Sequence, residues 1–336
     1  MGRSGVGSLL HRVSHEPVQL TSGPLGAGTP LMGTNGRKLF VLTTQRRGEL
    51  VRYDATSHSF VPYLGGISAT FLDFSKDGQW VAYGAYPQGT LWRSRLDGTE
   101  ALQLTFPPMS ILYPRWSPEG SKIAFTGVLP GKPPEVFTVS SEGGGPPEQI
   151  ATAPGEVGQV DADWSPDGNF LTFAGAPPPV KTASPTNAVH ILDLRTHKVS
   201  TLPGSQGFFG TYWSSDGRYL SLAPVGFEGV AVYELRAEKV QFLTRVRAGW
   251  RAWSHDGQYI YFLGVSPTPG ARSPGPPGSI ARVHVPDGKL EEVASPKDFR
   301  AAPGYGSWMG LAPDDSILLV RDGSTSDIYA LDWVAP

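Results

Sequence analysis

The sequence predicts an all-β fold, a seven-bladed β-propeller made of four-stranded antiparallel blades. Three observations carry this prediction. A short turn motif recurs along the chain, its copies are separated by similar distances, and the strand-like segments between copies fall into groups of four. The ring is expected to close because an N-terminal strand completes the last blade.

The turn motif is clearest at residues 163–168, which read Asp-Trp-Ser-Pro-Asp-Gly. Further copies lie at residues 73–78, 115–120, 212–217 and 252–257, with degraded copies at 32–36 and 311–315. Ser-Pro-Asp-Gly favours a type I turn, because proline presets the backbone at the second position and glycine suits the fourth. We interpret the aspartate as a turn former, because a catalytic residue need not recur in every repeat.

The spacing of the motif indicates the architecture. The repeated serine, or its equivalent, recurs about 40 to 58 residues apart. Alternating apolar and polar residues follow each turn, as in residues 79–83 and 122–125, and two further strand-like segments complete most units. A repeat of roughly 40–50 residues with about four short strands is typical of a propeller blade.

The two ends of the sequence complete the count of blades. After the last turn there are strand-like segments at residues 317–320 and 327–331 but no fourth one, and an unassigned segment at 17–21 precedes the first turn. We therefore expect residues 17–21 to complete the last blade, which would remove exposed sheet edges. The predicted organisation is a loose N-terminal tail at 1–14 and a single propeller at 15–336.

Composition narrows the classes of partner and chemistry. Lys and Arg number 28 against 30 Asp and Glu, and no basic block exists, which argues against a nucleic-acid partner. The absence of cysteine excludes disulfides, cysteine nucleophiles and thiolate metal sites. The first twelve residues contain no apolar run that suits a signal peptide or a membrane helix. We expect no membrane contact and a cytoplasmic location, or a periplasmic one if the chain is a fragment of a longer protein.

The Trp-Ser-Pro-Asp-Gly turn, the Ile-Ala-Phe-like strand after it and the Leu-Thr-like fourth strand resemble the TolB-type propeller repeat, a bacterial relative of the WD-repeat. The resemblance covers roughly residues 15–334. Residues 48–54, 72–83 and 102–109 look like propellers found C-terminally in bacterial winged-helix transcriptional regulators and some serine/threonine kinases. This resemblance implies a sensing or protein-interaction module.

Recognisable catalytic motifs are absent from the sequence. It has no Gly-x-Ser-x-Gly elbow, no Walker loop and no His-Glu-x-x-His pair. The seven histidines fall in turns, on third strands and near the N-terminus, so we expect them not to converge on a metal. They are His11, His15, His58, His190, His197, His255 and His284. We therefore predict no metal, no cofactor and no catalytic residue.

The first strand of each blade is expected to line the central channel, and candidate binding residues lie on these strands at its mouth. They are Asp73, Tyr113, Arg115, Asp161, Asp163, Phe208, Phe209, Tyr212, Trp250 and Arg251. Asp161 and Asp163 share a face of one strand, because strand side chains alternate with period two. Either they form a carboxylate pair for a cation, a sugar or a basic partner, or they are solvated charges balanced by Arg115 and Arg251.

Two proline- and glycine-rich insertions, at residues 175–185 and 267–278, are expected on the same face as the loops that enter the first strands. They form either a recognition rim or flexible padding. The leading hypothesis is a monomeric, non-enzymatic interaction or sensing module that binds a protein or peptide on this loop-rich face. The alternative is a propeller lyase or hydrolase that acts on a carbohydrate at the channel mouth.

Overall fold

A computed structural model describes residues 26–34, 36–150, 153, 155, 157–177, 187–264, 278–295, 299–304 and 308–332. The regular structure of these residues is β-strand, apart from a short 3₁₀ turn at Leu64–Gly66. The strands form seven four-stranded antiparallel sheets, which equals the number of blades that the repeat count predicts.

Five strands precede the first complete repeat. They are β1 (Gly26–Ala27), β2 (Leu31–Met32), β3 (Lys38–Gln45), β4 (Gly48–Asp54) and β5 (Ser59–Pro62).

Five sheets then follow along the chain, each built from four consecutive strands that pair in chain order. Sheet 1 contains β6 (Ala69–Phe74), β7 (Trp80–Ala85), β8 (Leu91–Arg95) and β9 (Leu102–Gln103). Sheet 2 contains β10 (Ser110–Trp116), β11 (Lys122–Val128), β12 (Glu135–Ser140) and β13 (Glu148–Gln149). Sheet 3 contains β14 (Gln159–Trp164), β15 (Phe170–Gly175), β16 (Val189–Asp193) and β17 (Lys198–Thr201). Sheet 4 contains β18 (Phe208–Trp213), β19 (Tyr219–Pro224), β20 (Val230–Glu234) and β21 (Lys239–Thr244). Sheet 5 contains β22 (Ala248–Trp253), β23 (Tyr259–Gly264), β24 (Ile280–His284) and β25 (Leu290–Ala294). The last described strands are β26 (Met309–Leu311), β27 (Ile317–Asp322) and β28 (Thr325–Asp332).

The repeat turn joins the first and second strands of these sheets and is held by its own side chains. In sheet 3, the Ser165 hydroxyl donates to Asp167 Oδ1 at 2.5 Å, and the Phe170 N–H donates to Ser165 Oγ at 2.9 Å. The same serine–aspartate bond recurs in sheets 1, 4 and 5. The bond from Ser165 lowers the pKa of Asp167, because it stabilises the ionised carboxylate. The repeated aspartate therefore forms the turn, as the sequence analysis interprets it.

The sixth sheet, which we call the mixed sheet, combines strands from both ends of the described chain in the order β26-β27-β4-β5. Its central pair runs from Leu318 opposite Arg52 to Asp322 opposite Gly48. This corrects the prediction for the last blade: β4 and β5 occupy the places assigned to residues 327–331 and 17–21. Residues 17–21 and the tail at 1–14 lie outside the described residues.

The seventh sheet, which we call the terminal sheet, contains β1, β2, β3 and β28. β28 pairs with β3 from Thr325 opposite Gln45 to Asp332 opposite Lys38, in the same register that joins β27 to β4. The Gly323 N–H donates to the Arg47 carbonyl at 2.9 Å between the two sheets. One continuous antiparallel register therefore joins residues 318–332 to residues 38–52, which is why residues 327–331 do not fold back onto β27.

Hydrophobic clusters of the described residues lie between consecutive sheets. Leu91, Ile111 and Phe125 join sheet 1 to sheet 2, and equivalent clusters join sheets 2 to 3, 3 to 4 and 4 to 5. Sheet 5 packs on the mixed sheet, and the mixed sheet packs on sheet 1. The first strands also contact one another in turn, from β6 through β10, β14, β18 and β22 to β26, and β26 contacts β6. The first strands therefore lie next to one another, which brings side chains of neighbouring first strands into contact.

Candidate functional site between the first strands

A β-bulge recurs in the first strands and changes the direction of one side chain in each. In sheets 1 to 5 the strand pairing shifts by one residue just before the turn. In sheets 1 to 4 a residue at the shift adopts left-handed backbone geometry, namely Phe71 (φ 57°), Tyr113 (φ 52°), Asp161 (φ 59°) and Gly210 (φ 68°). Such geometry costs of order 1–3 kcal/mol in a non-glycine residue and persists only when surrounding contacts hold it.

The first set of contacts is aromatic. The ring of Phe71 lies 4.9 Å from that of Tyr113, 5.8 Å from that of Trp250 and 6.5 Å from that of Trp308, measured between centroids. Each of these residues lies four positions before a repeat serine or its equivalent. Phe71 is 2% exposed, so this aromatic group fills part of the centre between the first strands.

The second set of contacts is ionic and centres on Arg115. Its Nη1 lies 3.7 Å from Asp73 Oδ1, and its Nε lies 3.8 Å from Asp163 Oδ1. Its guanidinium carbon lies 4.5 Å from the centroid of the Tyr212 ring, which is a cation–π contact. Arg115 therefore lies between two carboxyl groups, one from the first strand on either side of its own, and its single charge is shared between them.

The same two carboxylates also hold adjacent sheets together. Asp73 Oδ2 accepts the Trp116 N–H at 2.7 Å, and Asp163 Oδ2 accepts the Trp213 N–H at 2.7 Å. The first bond joins sheet 1 to sheet 2, and the second joins sheet 3 to sheet 4. Hydrogen bonds between an ionised group and a backbone N–H are among the stronger ones in proteins. These aspartates thus have a clear structural role.

Asp161 and Arg251 form a deeper pair, 3% and 8% exposed respectively. Arg251 Nη2 donates to the Gly210 carbonyl at 3.4 Å, and a Cβ added at Gly210 would collide with Arg251 Nη2. Glycine at this position therefore makes room for the guanidinium. Among the described residues, Asp161 Oδ1 and Arg251 Nε have no hydrogen-bond partner. The pair is close enough for electrostatic attraction but is not fully satisfied by hydrogen bonds.

Burial determines how these groups titrate. It raises the pKa of Asp161 to about 6, against the opposing effect of Arg251 and Arg115. It raises the pKa of Asp163 to about 7, against the opposing effect of Arg115. Burial also lowers the pKa of Arg251. Since Asp161 and Asp163 titrate near neutral pH, the site can hold or release a proton under physiological conditions.

The structure brings together eight of the ten residues that the sequence analysis places at the channel mouth. Phe208 and Phe209 lie elsewhere: Phe208 packs on Phe242 at 5.8 Å and Phe209 on Phe227 at 5.6 Å. Phe71, Gly210 and Trp308 also belong to this group and were not predicted, although the sequence shows that each lies four residues before a repeat serine or its equivalent. Most of the insertions at 175–185 and 267–278 lies outside the described residues.

Neither a cluster of metal ligands nor a membrane-spanning helix is present in the part of the chain that the structure describes. No three histidine, cysteine, aspartate or glutamate side chains in it group closely enough to hold a metal ion. Within the same residues, no helix has the length and apolar character needed to cross a membrane.

Comparison with known sequences gives short matches. No protein-family model matches the chain. Tricorn protease homolog 1 of Streptomyces coelicolor is 32% identical over 97 residues, which is 29% of this chain and 9% of that protein. The Tol-Pal system protein TolB of Syntrophus aciditrophicus is 42% identical over 52 residues, which is 16% of this chain and 11% of that protein. The chain thus spans only about a tenth of each of these relatives.

Comparison with solved structures covers most of the chain. Putative TolB from Agrobacterium tumefaciens aligns with a TM-score of 0.62 and 17% identity, over 82% of this chain and 98% of the other. The fold is that of the TolB-type propeller. An oligogalacturonate lyase in complex with manganese also aligns, with a TM-score of 0.56 and 12% identity, over 89% of this chain and 96% of that one. Likeness at such identities concerns the fold, and the function must be argued from the sites.

Proposed function

We propose that this chain is a non-enzymatic propeller module that binds a partner protein, and that the terminal sheet supplies the contact surface. The observation that carries the proposal is an exposed apolar face on that sheet. Contiguous exposed apolar patches on a folded protein commonly mark interaction sites.

The apolar face is built by side chains from three neighbouring strands. Leu31 of β2 and Ala330 of β28 both lie opposite Phe40 of β3, and Ile328 of β28 lies opposite Leu42 of β3. Directly paired residues of antiparallel strands project from the same face. Ile328 is 73% exposed, Leu31 68%, Leu42 48% and Phe40 39%. We call the five residues Leu31, Phe40, Leu42, Ile328 and Ala330 the apolar face of the terminal sheet.

The proposed occupant is an extended segment of the partner, added as a strand along β28. All eight residues of β28 are exposed, and among the described residues β28 pairs with β3 alone. Its other edge therefore presents backbone donors and acceptors to which a strand can add. Apolar residues at alternate positions of the added strand would extend the apolar face beyond Ile328 and Ala330.

Charge along β28 indicates one further property of the occupant. β28 contains two charged residues, Asp327 and Asp332, and Lys38 Nζ lies 3.0 Å from Asp332 Oδ1. Asp327 forms no ion pair with any described residue. A basic residue opposite Asp327 would complement it, so we propose an apolar strand that carries a lysine or arginine.

The terminal sheet is favoured over the predicted channel-mouth surface for two reasons. The carboxylates of Asp73 and Asp163 already accept backbone N–H groups and pair with Arg115. The predicted rim loops lie largely outside the described residues. A location for the protein and a link to winged-helix regulators or kinases stay predictions.

We also propose how the propeller closes. The contact of β26 with β6, and the cluster that contains Leu50, Leu318 and Phe71, support a ring of sheets 1 to 5 and the mixed sheet. In this arrangement β4 and β5 join the C-terminal strands β26 and β27, and the terminal sheet projects from the ring. Joining strands from both ends of a chain in one sheet protects edges that would otherwise be free.

Affinity capture from an extract of the source organism, followed by a binding assay with the purified partner, tests the proposal. Wild type is compared with Ile328→Lys and with Val246→Lys, a control at a residue 45% exposed between sheets 4 and 5. A partner that the control retains and Ile328→Lys loses supports the proposal. Equal retention by both variants overturns it. So does a wild-type dimer that Ile328→Lys converts to monomer in light scattering, because a second copy would then occupy the face.

A carbohydrate lyase or hydrolase is the second candidate. It is supported by the carboxyl groups of Asp161 and Asp163, whose pKa values burial raises to about 6 and about 7, beside the cationic Arg115. Incubation with oligogalacturonates, with products followed by ultraviolet absorbance and chromatography, tests it. Turnover that Asp163→Asn abolishes while its circular dichroism stays unchanged would favour this candidate, and the absence of turnover would remove it.

A further inference from the structure

A second feature of the molecule is a cavity of about 430 Å³ between the mixed sheet and sheet 5. Tyr53 and His58 line it from β4 and the turn that follows, and Asp315 lines it from the turn between β26 and β27. Tyr261 and Val293 line it from sheet 5. The aromatic and ionic side chains described above, around Phe71, Arg115 and Asp161, form the cluster between the first strands. None of them lines this cavity, so the cavity is a separate site.

The lining of the cavity is acidic, but most of its carboxylate oxygens have partners. Three aspartates and one arginine line it, which gives a net charge of −2 when His58 is neutral. Asp54 accepts the Thr56 N–H at 2.9 Å and the Ser57 hydroxyl at 2.7 Å. Asp314 pairs with Arg52 Nη1 at 3.3 Å and also accepts the Ser316 N–H at 3.1 Å. These two carboxylates belong to their turns.

Asp315 differs from the other two aspartates. Its Oδ1 accepts the His255 N–H at 2.8 Å, and it forms no ion pair with any described residue. It also has left-handed backbone geometry (φ 63°), which is uncommon for a residue other than glycine. Partial burial raises its pKa, and the nearby carboxylates of Asp256 and Asp314 raise it further, against the opposing effect of His255. A partly buried carboxylate without an ion pair to any described residue thus lies at the wall of a cavity.

The rest of the cavity wall is aromatic and aliphatic. Tyr261 is 6% exposed and Ile317 is 2% exposed, so both form a buried floor. The Tyr53 ring packs on Phe60 at 5.2 Å, and its hydroxyl lies 3.1 Å from His58 Nδ1. Aliphatic stems pack well on such surfaces, and ring faces attract cations.

We propose that this cavity binds an alkylammonium or guanidinium group on an aliphatic stem, with the cation directed at Asp315 and the stem between Tyr53 and Tyr261. A lysine or arginine side chain of a protein has this chemistry, and so does a free diamine. The proposal goes beyond the terminal-sheet surface. It rests on the function proposed above only for the assumption that a protein supplies the cation.

Titration of the purified protein with small probes, followed by calorimetry or by nuclear magnetic resonance, tests the proposal. The probes are Nα-acetyl-lysine methylamide, its neutral counterpart Nα-acetyl-norleucine methylamide, the acidic Nα-acetyl-glutamate methylamide, and putrescine. The lysine derivative should bind more tightly than the norleucine derivative, and the glutamate derivative should not bind. Tighter binding of the capped lysine than of putrescine indicates a protein side chain, and the reverse order indicates a free diamine.

The decisive variant is Asp315→Asn, which keeps an oxygen for the His255 N–H and removes the charge. It should weaken lysine binding by about fivefold or more, as loss of a partly desolvated charge contact implies. Asp287→Asn removes an exposed charge from a turn of sheet 5 that does not line the cavity, and it should leave the affinity unchanged. Equal affinity for the lysine and norleucine derivatives, or no effect of Asp315→Asn, would overturn the proposal. Neither result bears on the terminal sheet, which Ile328→Lys tests separately.

Discussion

The terminal sheet differs from the cluster of side chains between the first strands in which side chains are buried and which are exposed. In the cluster, ionisable groups such as Asp161 and Arg251 are buried, and they lie close to one another. In the terminal sheet, large apolar side chains such as Ile328 and Leu31 are exposed. Isolated exposed apolar residues are ordinary, but a set on one sheet face is not.

This contrast suggests a division of roles within the molecule. Side chains of the cluster hold neighbouring sheets together, since Asp73 and Asp163 bind backbone groups of the next sheet. The described strands of the terminal sheet contact chiefly one another, apart from the ladder that continues from the mixed sheet. We therefore expect changes in the cluster to affect stability and changes in the terminal sheet to affect binding.

The largest expected difference is between Phe71→Ala and Ile328→Ala. Phe71 is 2% exposed and contacts three other rings, so its truncation should leave a cavity and lower the free energy of unfolding by about 3–5 kcal/mol. Ile328 is 73% exposed, and its truncation should change that free energy by about 0.5 kcal/mol or less. Urea unfolding followed by tryptophan fluorescence measures both. Similar losses for the two variants would contradict the division of roles.

A second difference concerns pH. The pKa of Asp161 is about 6 in the folded protein and 3.8 in its reference state, so folding favours the protonated form. The stability that this group contributes is fully present below about pH 3.8 and is lost as the pH rises through about 6. Asp161→Asn mimics the protonated form at all pH values. Between pH 4 and pH 8 the variant should therefore gain up to about 3 kcal/mol relative to wild type.

Thermal and urea unfolding at several pH values, with the variant always compared with wild type, measures this gain. Asp327→Asn in the terminal sheet is the control, because Asp327 is exposed. The control measures what the same aspartate-to-asparagine change does at an exposed position. A constant difference between Asp161→Asn and wild type would show that Arg115 and Arg251 keep Asp161 ionised throughout.

A third difference separates two glycines with nearly the same backbone geometry. Gly210 has φ 68°, and a Cβ added to it would collide with Arg251. Gly36, near the terminal sheet, has φ 66°, and a Cβ added to it would have no atom of another residue beyond its chain neighbours within 4 Å. Alanine at either position strains the backbone, at a cost of roughly 1 kcal/mol or more. Only Gly210→Ala should also displace the Arg251 guanidinium, so its loss of unfolding free energy should exceed that of Gly36→Ala. Equal losses would mean that Arg251 moves at no cost.

Much of the fold was predictable because its determinants are local. The Ser-Pro-Asp-Gly turn fixes the hairpin between first and second strands through bonds among neighbours, such as Ser165 with Asp167 and Phe170. Its spacing then gives the four-stranded unit and the number of sheets. Strand pairing at the chain ends was predicted wrongly, because β27 could pair with residues 327–331 or with β4, and this choice depends on residues far apart in sequence.

The candidate site was predictable in part for a related reason. Regular alternation places Asp163, Arg115 and Tyr212 on the inner face, and these do meet. The position of Phe71 in the aromatic group depends on a bulge that breaks the alternation, so regular alternation alone does not place it there. The role of Gly210 depends on Arg251 from the next sheet, which only the three-dimensional packing shows.

The smallest expected effect concerns the ion pair that joins the two long strands of the terminal sheet. Lys38 Nζ lies 3.0 Å from Asp332 Oδ1, but these side chains are 47% and 85% exposed. Because solvent screens such pairs, a double-mutant cycle with Lys38→Met and Asp332→Asn should give a coupling energy of about 0.2–1 kcal/mol, lower at high salt. A much larger coupling would mean that this pair sets the register of β28 against β3. The position of Ile328 on the apolar face would then depend on ionic strength, and so would partner binding.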